Sequence, residues 1–475
     1  MPNRVELDAK TARWIPWVVA IAFFMQSLDG TILNTALPAM AQDLAENPLR
    51  MQGVIIAYML TVALLIPASG WIADRFGTKN IFFSAILLFS LGSLLCALSH
   101  SLSMLIGARV IQGLGGALML PVGRLVVLRA YPRSELVRIM GFITIPGLLG
   151  PLLGPTMGGW MVQYLTWHWI FLINLPVGLI GCYAVWKFIP DLRGNERTRF
   201  DSLGFLLFGA AMVLITIAME GLGELHLPHL RVMLLLFGGM ACLAAYWLRA
   251  GHIENPLFSP LLFKTRTFAV GILGNLFARL GSGALPFLVP LLLQLALGYS
   301  PSQAGMSMLP LAAAAMVAKS LARTLIERLG YRIVLTGNTL ALGLMLASMG
   351  LVSEQTPYPL LLAMLAVLGA INSLQFTAMN TVTLIDLDDA QASSGNSLLS
   401  VVAQLALSLG VACAGALLGG FTAESGNDGV NTVLGAFQLT FLTVGIMAML
   451  AAAIFLQLSP KDGKRVVKRE HDVEH

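Results

Sequence analysis

Apolar runs of about 20 residues recur along the whole chain, separated by short polar stretches, and this spacing governs every later reading. A bilayer hydrocarbon core about 30 Å thick is crossed by roughly 20 helical residues rising about 1.5 Å each. Fourteen runs meet that length, at approximate limits 15–38, 51–73, 80–99, 102–124, 138–162, 168–189, 203–221, 231–249, 268–294, 303–322, 332–351, 358–380, 394–420 and 435–457. They predict an all-α polytopic membrane protein with 14 transmembrane helices.

Composition agrees with that reading. Over 475 residues the chain is 57% hydrophobic and 11% charged, with a mean hydropathy of +0.80. Such a chain is too apolar for a soluble globule. Arg4, Glu6, Asp8, Lys10 and Arg13 precede the first run without the short apolar core and small-residue cleavage site of a secretory leader, so that run is expected to stay as the first span. Cys96, Cys182, Cys242 and Cys413 are scattered singly through apolar runs and lack the spacing of a metal site or a disulfide framework.

Charge tests the span count. With 14 spans, loops on the N-terminal side hold 23 of the 29 Lys and Arg, only Arg50 and Arg231 fall on the far side, and Arg109, Arg124, Arg279 and Lys319 lie within spans. Both termini are therefore expected in the cytoplasm, at the inner membrane, with Lys461, Lys464, Arg465, Lys468 and Arg469 anchoring the tail. Asp386, Asp388 and Asp389 occupy one cytoplasmic connection that lacks Lys and Arg. The net charge of +5 is spread over short loops, so it follows topology and does not point to nucleic acid.

An internal repeat appears in the loops. Gly70-Trp-Ile-Ala-Asp74-Arg75-Phe-Gly77-Thr-Lys79 follows span 2, and Arg323-Thr-Leu-Ile-Glu327-Arg328-Leu-Gly330-Tyr-Arg332 follows span 10, with acid, base, apolar residue, glycine and base at the same steps. The two copies predict duplicated bundles in a 6 + 2 + 6 arrangement. Residues 1–190 form the first six-helix bundle in this reading, 191–255 a cytoplasmic link and two extra helices, 256–458 the second bundle and 459–475 a basic tail. The extra pair is nearly featureless, since Met233 to Leu248 has no ionisable group, and is read as a lipid-facing linker.

Within this apolar frame the polar residues carry the chemistry. Asp29 lies roughly 20 Å past Trp14 along the first helix, in hydrocarbon, where a lone acid is costly unless protonation or a cation relieves its charge. It reads either as a proton or cation site or as a structural ion pair. Arg109, with Gln112 beside it and Gly113 four residues on, is its best partner. In span 5, Gly150, Gly154 and Gly158 place small residues on one helix face, while Pro151 and Pro155 remove backbone donors and bend the helix. Gly70 and Gly77 permit close packing and a tight turn beside Asp74, Arg75 and Lys79, a loop that can latch one conformation.

Four motifs together resemble the major facilitator superfamily and, within it, the 14-span drug:proton antiporter family. They are Leu28 to Pro38 in span 1, Gly70 to Lys79, Arg109-Val-Ile-Gln112-Gly113-Leu-Gly115-Gly116 in span 4, and Gly150-Pro151-Leu-Leu-Gly154-Pro155-Thr-Met-Gly158-Gly159 in span 5. The resemblance implies a major facilitator fold and proton coupling at Asp29, tuned by Arg109. It implies a cytoplasmic gate formed by Gly70, Asp74, Arg75, Gly77 and Lys79, with Glu327, Arg328 and Gly330 as the second copy. It also implies an antiporter hinge at Gly150, Pro151, Gly154, Pro155, Gly158 and Gly159.

A substrate cavity is expected at Gln26, Asn34, Gln112, Arg279, Asn372, Gln375 and Asn380, amid methionines that suit varied amphipathic ligands. His168 stands where the family usually has Arg between two tryptophans and reads as an interface anchor or a pH-sensitive contact. The expected function is export of amphipathic or cationic small molecules by proton exchange. An exporter of an endogenous metabolite, organic anion or siderophore is the alternative, because intramembrane cations outnumber acids. A membrane receptor or enzyme is a third reading, but the sequence has no nucleotide-binding glycine loop, His-Glu-x-x-His pair or nucleophile-base pattern. Protons are the coupling ion, no other cofactor or metal is expected, and the chain is taken to act as a monomer within the lipid bilayer.

Overall fold

A computed structural model describes residues 9–193, 200–223, 228–424, 430–459 and 462. Fourteen helices among them are long and apolar enough to cross a membrane. In chain order they are α1 (Thr11–Thr35), α2 (Pro48–Phe76), α3 (Thr78–Ala97), α4 (Leu102–Ala130), α5 (Arg138–Tyr164), α6 (Trp169–Phe188) and α7 (Ser202–Gly221). They continue as α8 (His229–Ala250), α9 (Arg266–Ala296), α10 (Pro301–Leu329), α11 (Tyr331–Met349), α12 (Tyr358–Leu384), α13 (Gln391–Ala423) and α14 (Val433–Phe455). The predicted spans and these helices coincide one for one. The basic tail residues Lys461, Lys464, Arg465, Lys468 and Arg469 lie outside the described residues.

The chain divides into two units, one of residues 1–202 with 300–306, the other of 203–299 with 307–475. In the first, α1 packs most extensively on α5, α2 on α4, and α3 on α4 and α6. In the second, α9 packs on α13, α10 on α12, and α11 on α14 and α12. Shifted by eight helices, these pairings match, so the repeat seen in two loops extends to the packing of both units. Residues of α7 and α8 group with the second unit. Helix α8 presents Met233, Leu234, Phe237, Met240 and Leu248 outward, as a lipid-facing helix must. The core of the first unit is a continuous apolar cluster in which Ile15, Phe82, Phe89 and Val126 are fully enclosed.

Gly77 and Gly330 sit between consecutive helices at φ +90° and +79°. An L side chain is strained there. At Gly77 the Asp191 carboxylate also occupies the place a Cβ would need, whereas nothing lies within 4 Å at Gly330. Gly77→Ala is therefore expected to cost about 2–3 kcal/mol in detergent unfolding, against about 1–2 kcal/mol for Gly330→Ala. Equal losses would mean that Asp191 yields freely.

Candidate functional site

Helix geometry puts Asp29 and the glycine contacts on opposite sides of α1. Ser27, Thr31 and Thr35 recur every four residues and face α5, while Asp29, two residues off that register, points the other way into α3, α4 and α6. On the α5 side, a Cβ at Gly150 would lie 2.6 Å from Ser27 Cβ and 2.7 Å from the Leu28 nitrogen, so the two backbones touch. Gly154 meets Thr31 and Ile32, and Gly158 meets Ile32 and Thr35. Thr31 Oγ1 donates to the Gly150 carbonyl at 3.2 Å and Thr35 Oγ1 to the Pro155 carbonyl at 3.1 Å. Pro151 and Pro155, with Pro146, lie inside this helix. Gly159 lies against Pro301 of the same unit.

On the other side Asp29 is closed in, 1% exposed, and accepts three side-chain donors. Arg109 Nη1 donates to Oδ2 at 2.7 Å, Gln112 Nε2 to Oδ1 at 2.8 Å and Asn174 Nδ2 to Oδ1 at 3.1 Å. Arg109 Nη1 also reaches Gln112 Oε1 at 2.6 Å, and its Nε donates to the Val54 carbonyl at 3.3 Å. Gln112 and Asn174 both donate to Ser93 Oγ, at 2.8 and 3.2 Å, and the Cys96 thiol points at Gln112 Oε1 from 3.7 Å. The guanidinium lies 4.2 Å over the Tyr58 ring, a cation–π contact in a site without bulk water. Each formal charge thus has an opposite charge and fixed dipoles around it, which is the condition for burying an ion pair. The Tyr58 hydroxyl and Gln26 Oε1 are enclosed and form no hydrogen bond among the described residues.

The structure sorts the sequence candidates. Asp29 and Arg109 meet, and Gln112, assigned to the substrate cavity, is part of their cluster. Asn34 is buried in the short turn that ends α1. In the second unit, Gln375 is held between α11 and α12, donating to Thr339 Oγ1 at 2.7 Å and accepting from Asn338 at 2.9 Å. Asn372 Oδ1 is enclosed and has no hydrogen-bond partner among the described residues. Arg279, 6% exposed, donates to Asn275 at 2.9 Å and to Asn380 at 3.0 Å and stacks 3.9 Å over Phe376, with no carboxylate partner among the described residues. Asn174, Ser93 and Tyr58 were not among the predicted site residues. Their only signal is a polar group inside an apolar run.

In the first loop, Asp74 pairs with Arg129 at the end of α4, and Arg129 also donates to the Leu192 carbonyl at 3.3 Å. Arg75 packs over Trp71, 5.4 Å from the ring centre. Gly70 is open, with nothing within 4 Å, and Lys79 is half-buried at the start of α3. In the second loop Glu327 bonds Arg323 one turn away at 2.7 Å, and Arg328 is exposed. His168, between α5 and α6, stacks on Trp167 with ring centres 3.8 Å apart, while Trp167 donates to Asp43 at 2.8 Å. Burial lowers the His168 pKa from its ordinary value, outweighing the opposite pull of Asp43 and aided by His100.

Comparison with known proteins adds a family. The profile described as Major Facilitator Superfamily matches residues 19–411 and 271–474. A protein named "Putative multidrug resistance protein MdtD" from Pectobacterium atrosepticum is 49% identical over 455 residues, 95% of this chain and 96% of the relative. Its namesake in Escherichia coli is 47% identical over 452 residues, again 95% and 96%. Among solved structures, a bacterial homologue of the human lysosomal transporter Spinster superposes with TM-score 0.68 at 16% identity, covering 94% of this chain and 97% of the other. A D-xylose-proton symporter gives 0.66 at 13% identity, covering 95% and 99%. At such low identity these two likenesses speak to the fold alone.

Proposed function

The chain belongs to the major facilitator superfamily as a multi-pass membrane transporter of small molecules, and from that premise we propose that it exports amphipathic or cationic compounds in exchange for protons. One observation carries the proposal: α1 holds a buried acid paired with Arg109 of α4 on one side and packs on the backbone-close glycine seam of α5 on the other. Protonation of Asp29 removes the charge that holds Arg109 and frees α1 to shift along α5. Deprotonation restores the pair, so proton occupancy and the position of α1 are linked.

In this reading residues 1–190 and 256–458 act as two bundles joined by 191–255, and both termini face the cytoplasm at the inner membrane. The Gly70–Lys79 loop and its copy at Glu327, Arg328 and Gly330 serve as the gate, and Gly150 to Gly159 as the hinge. Gln26, Asn34, Asn372 and Asn380 offer amides to cargo. The names of the relatives, which refer to multidrug resistance, support the choice of cargo.

Arg279 favours a second reading. A buried guanidinium held, among the described residues, by amides and an aromatic ring suits an anionic cargo, such as an organic acid or a siderophore. A competition panel of cationic dyes against organic anions separates the two.

Inverted vesicles with an imposed pH gradient test the coupling. Gradient-driven dye movement is expected to vanish for Asp29→Asn, while exchange without a gradient persists. Retained gradient-driven transport would reject the role of Asp29.

A further inference from the structure

The two copies of the loop motif differ in what lies against the glycine between their helices. Gly77 and Gly330 each precede a helix, α3 and α11, and neither helix start has a side-chain cap. Each start leaves unpaired backbone N–H groups at the positive end of a helix dipole. In the first copy the chain supplies the missing acceptors. The Asp191 carboxylate lies against Gly77, the Leu192 carbonyl accepts the Thr78 N–H at 3.1 Å, and Thr78 Oγ1 accepts the Leu192 N–H at 3.1 Å.

Nothing of the kind stands at Gly330 among the described residues. Asp462, the acid that follows α14, instead accepts the Ser459 N–H at 2.6 Å. In place of a carboxylate there is a cavity of about 570 Å³ lined by Leu329, Gly330, Arg332, Ile333, Thr336 and Leu456. Arg332 has no carboxylate partner among the described residues, and the Thr336 hydroxyl oxygen is enclosed and unpaired. A second guanidinium, that of Arg266, donates to the carbonyl of Gln457, the residue after Leu456. The position that an aspartate fills in one repeat is, in the other, a hollow lined by Arg332 and by no carboxylate among the described residues.

We propose that this cavity binds the headgroup of an anionic phospholipid from the leaflet on the side of both termini, its phosphate taking the place that Asp191 takes in the first copy. The walls choose lipid over a free ion. Leu329, Ile333 and Leu456 are 50%, 62% and 52% exposed at the ends of spanning helices. They give an acyl chain an apolar path away from the phosphate. The cavity is also far larger than a lone phosphate requires.

The full chain in neutral detergent, titrated with short-chain phosphatidylglycerol and followed by native mass spectrometry and thermal unfolding, tests this. Phosphatidylglycerol is expected to bind and raise the unfolding temperature, while phosphatidylcholine and inorganic phosphate at equal concentration do neither. Arg332→Gln is expected to weaken phosphatidylglycerol binding about fivefold. Leu456→Glu, which places a carboxylate in the wall, is expected to abolish binding while the chain remains folded. Arg323→Gln, outside the cavity, serves as the reference for unchanged affinity. Wild-type affinity in both cavity variants would overturn the proposal, as would equal stabilisation by phosphate or phosphatidylcholine.

Discussion

Arg109→Gln is expected to destabilise the protein by about 3–5 kcal/mol, because it leaves the Asp29 carboxylate buried without a cation. Gln112 and Asn174 still donate to that carboxylate, but their neutral dipoles do not replace a full charge 2.7 Å away. Asp29→Asn is expected to cost a similar amount, since the guanidinium is then left with carbonyl oxygens and the Tyr58 and Phe171 rings among the described residues. The double variant is the decisive form. With both charges gone, the loss should fall short of the summed single losses by about 1–3 kcal/mol. Unfolding of the four proteins in one detergent measures the coupling, and additive losses would mean that the pair contributes no direct interaction. Gradient-driven transport is expected to stop in all three variants, so stability and coupling are read from the same set.

Gly150→Ala is expected to reduce transport about tenfold while costing about 1–3 kcal/mol of stability. The added methyl would sit 2.7 Å from the Leu28 nitrogen, and backbone, unlike a flexible side chain, has nowhere to turn. Helix α1 must then move away from α5, carrying Asp29 with it. Gly141→Ala in the same helix meets nothing within 4 Å. It is expected to be neutral or to stabilise by up to about 1 kcal/mol through helix propensity. Dye efflux and thermal unfolding of the two variants separate the contact from the general effect of losing a glycine. Wild-type transport in Gly150→Ala would remove the seam from the mechanism.

Much of this was legible in the residues because membranes impose strong constraints. A span must be apolar over its whole length, so 14 runs announce 14 helices, and a lone acid among them leaves few possible partners beyond Arg109. Spacing alone says less about which helices meet. The four-residue rhythm of Gly150, Gly154 and Gly158 reveals a smooth face but not that α1 lies on it, since small residues accept any neighbour. Gln112 shows the same limit: an amide beside an intramembrane Arg suits a cavity wall or a charge cluster equally well. Asn174, 145 residues from Asp29, and Asp191, far from Gly77 in the chain, find their partners only after the helices have packed.

The two-sided nature of α1 gives it a lever arm. A side chain reaches about 5–6 Å from a helix axis, so a turn of about 20° sweeps the carboxylate through roughly 2 Å. A 2.7 Å bond to Arg109 does not survive that displacement. The same turn drags Thr31 and Thr35 across the carbonyls of α5, whose glycines oppose it with no side chain at all. On the proposed coupling, torque on α1 and the state of one proton are mechanically the same variable, and the smoothness of α5 sets how little work an exchange would require.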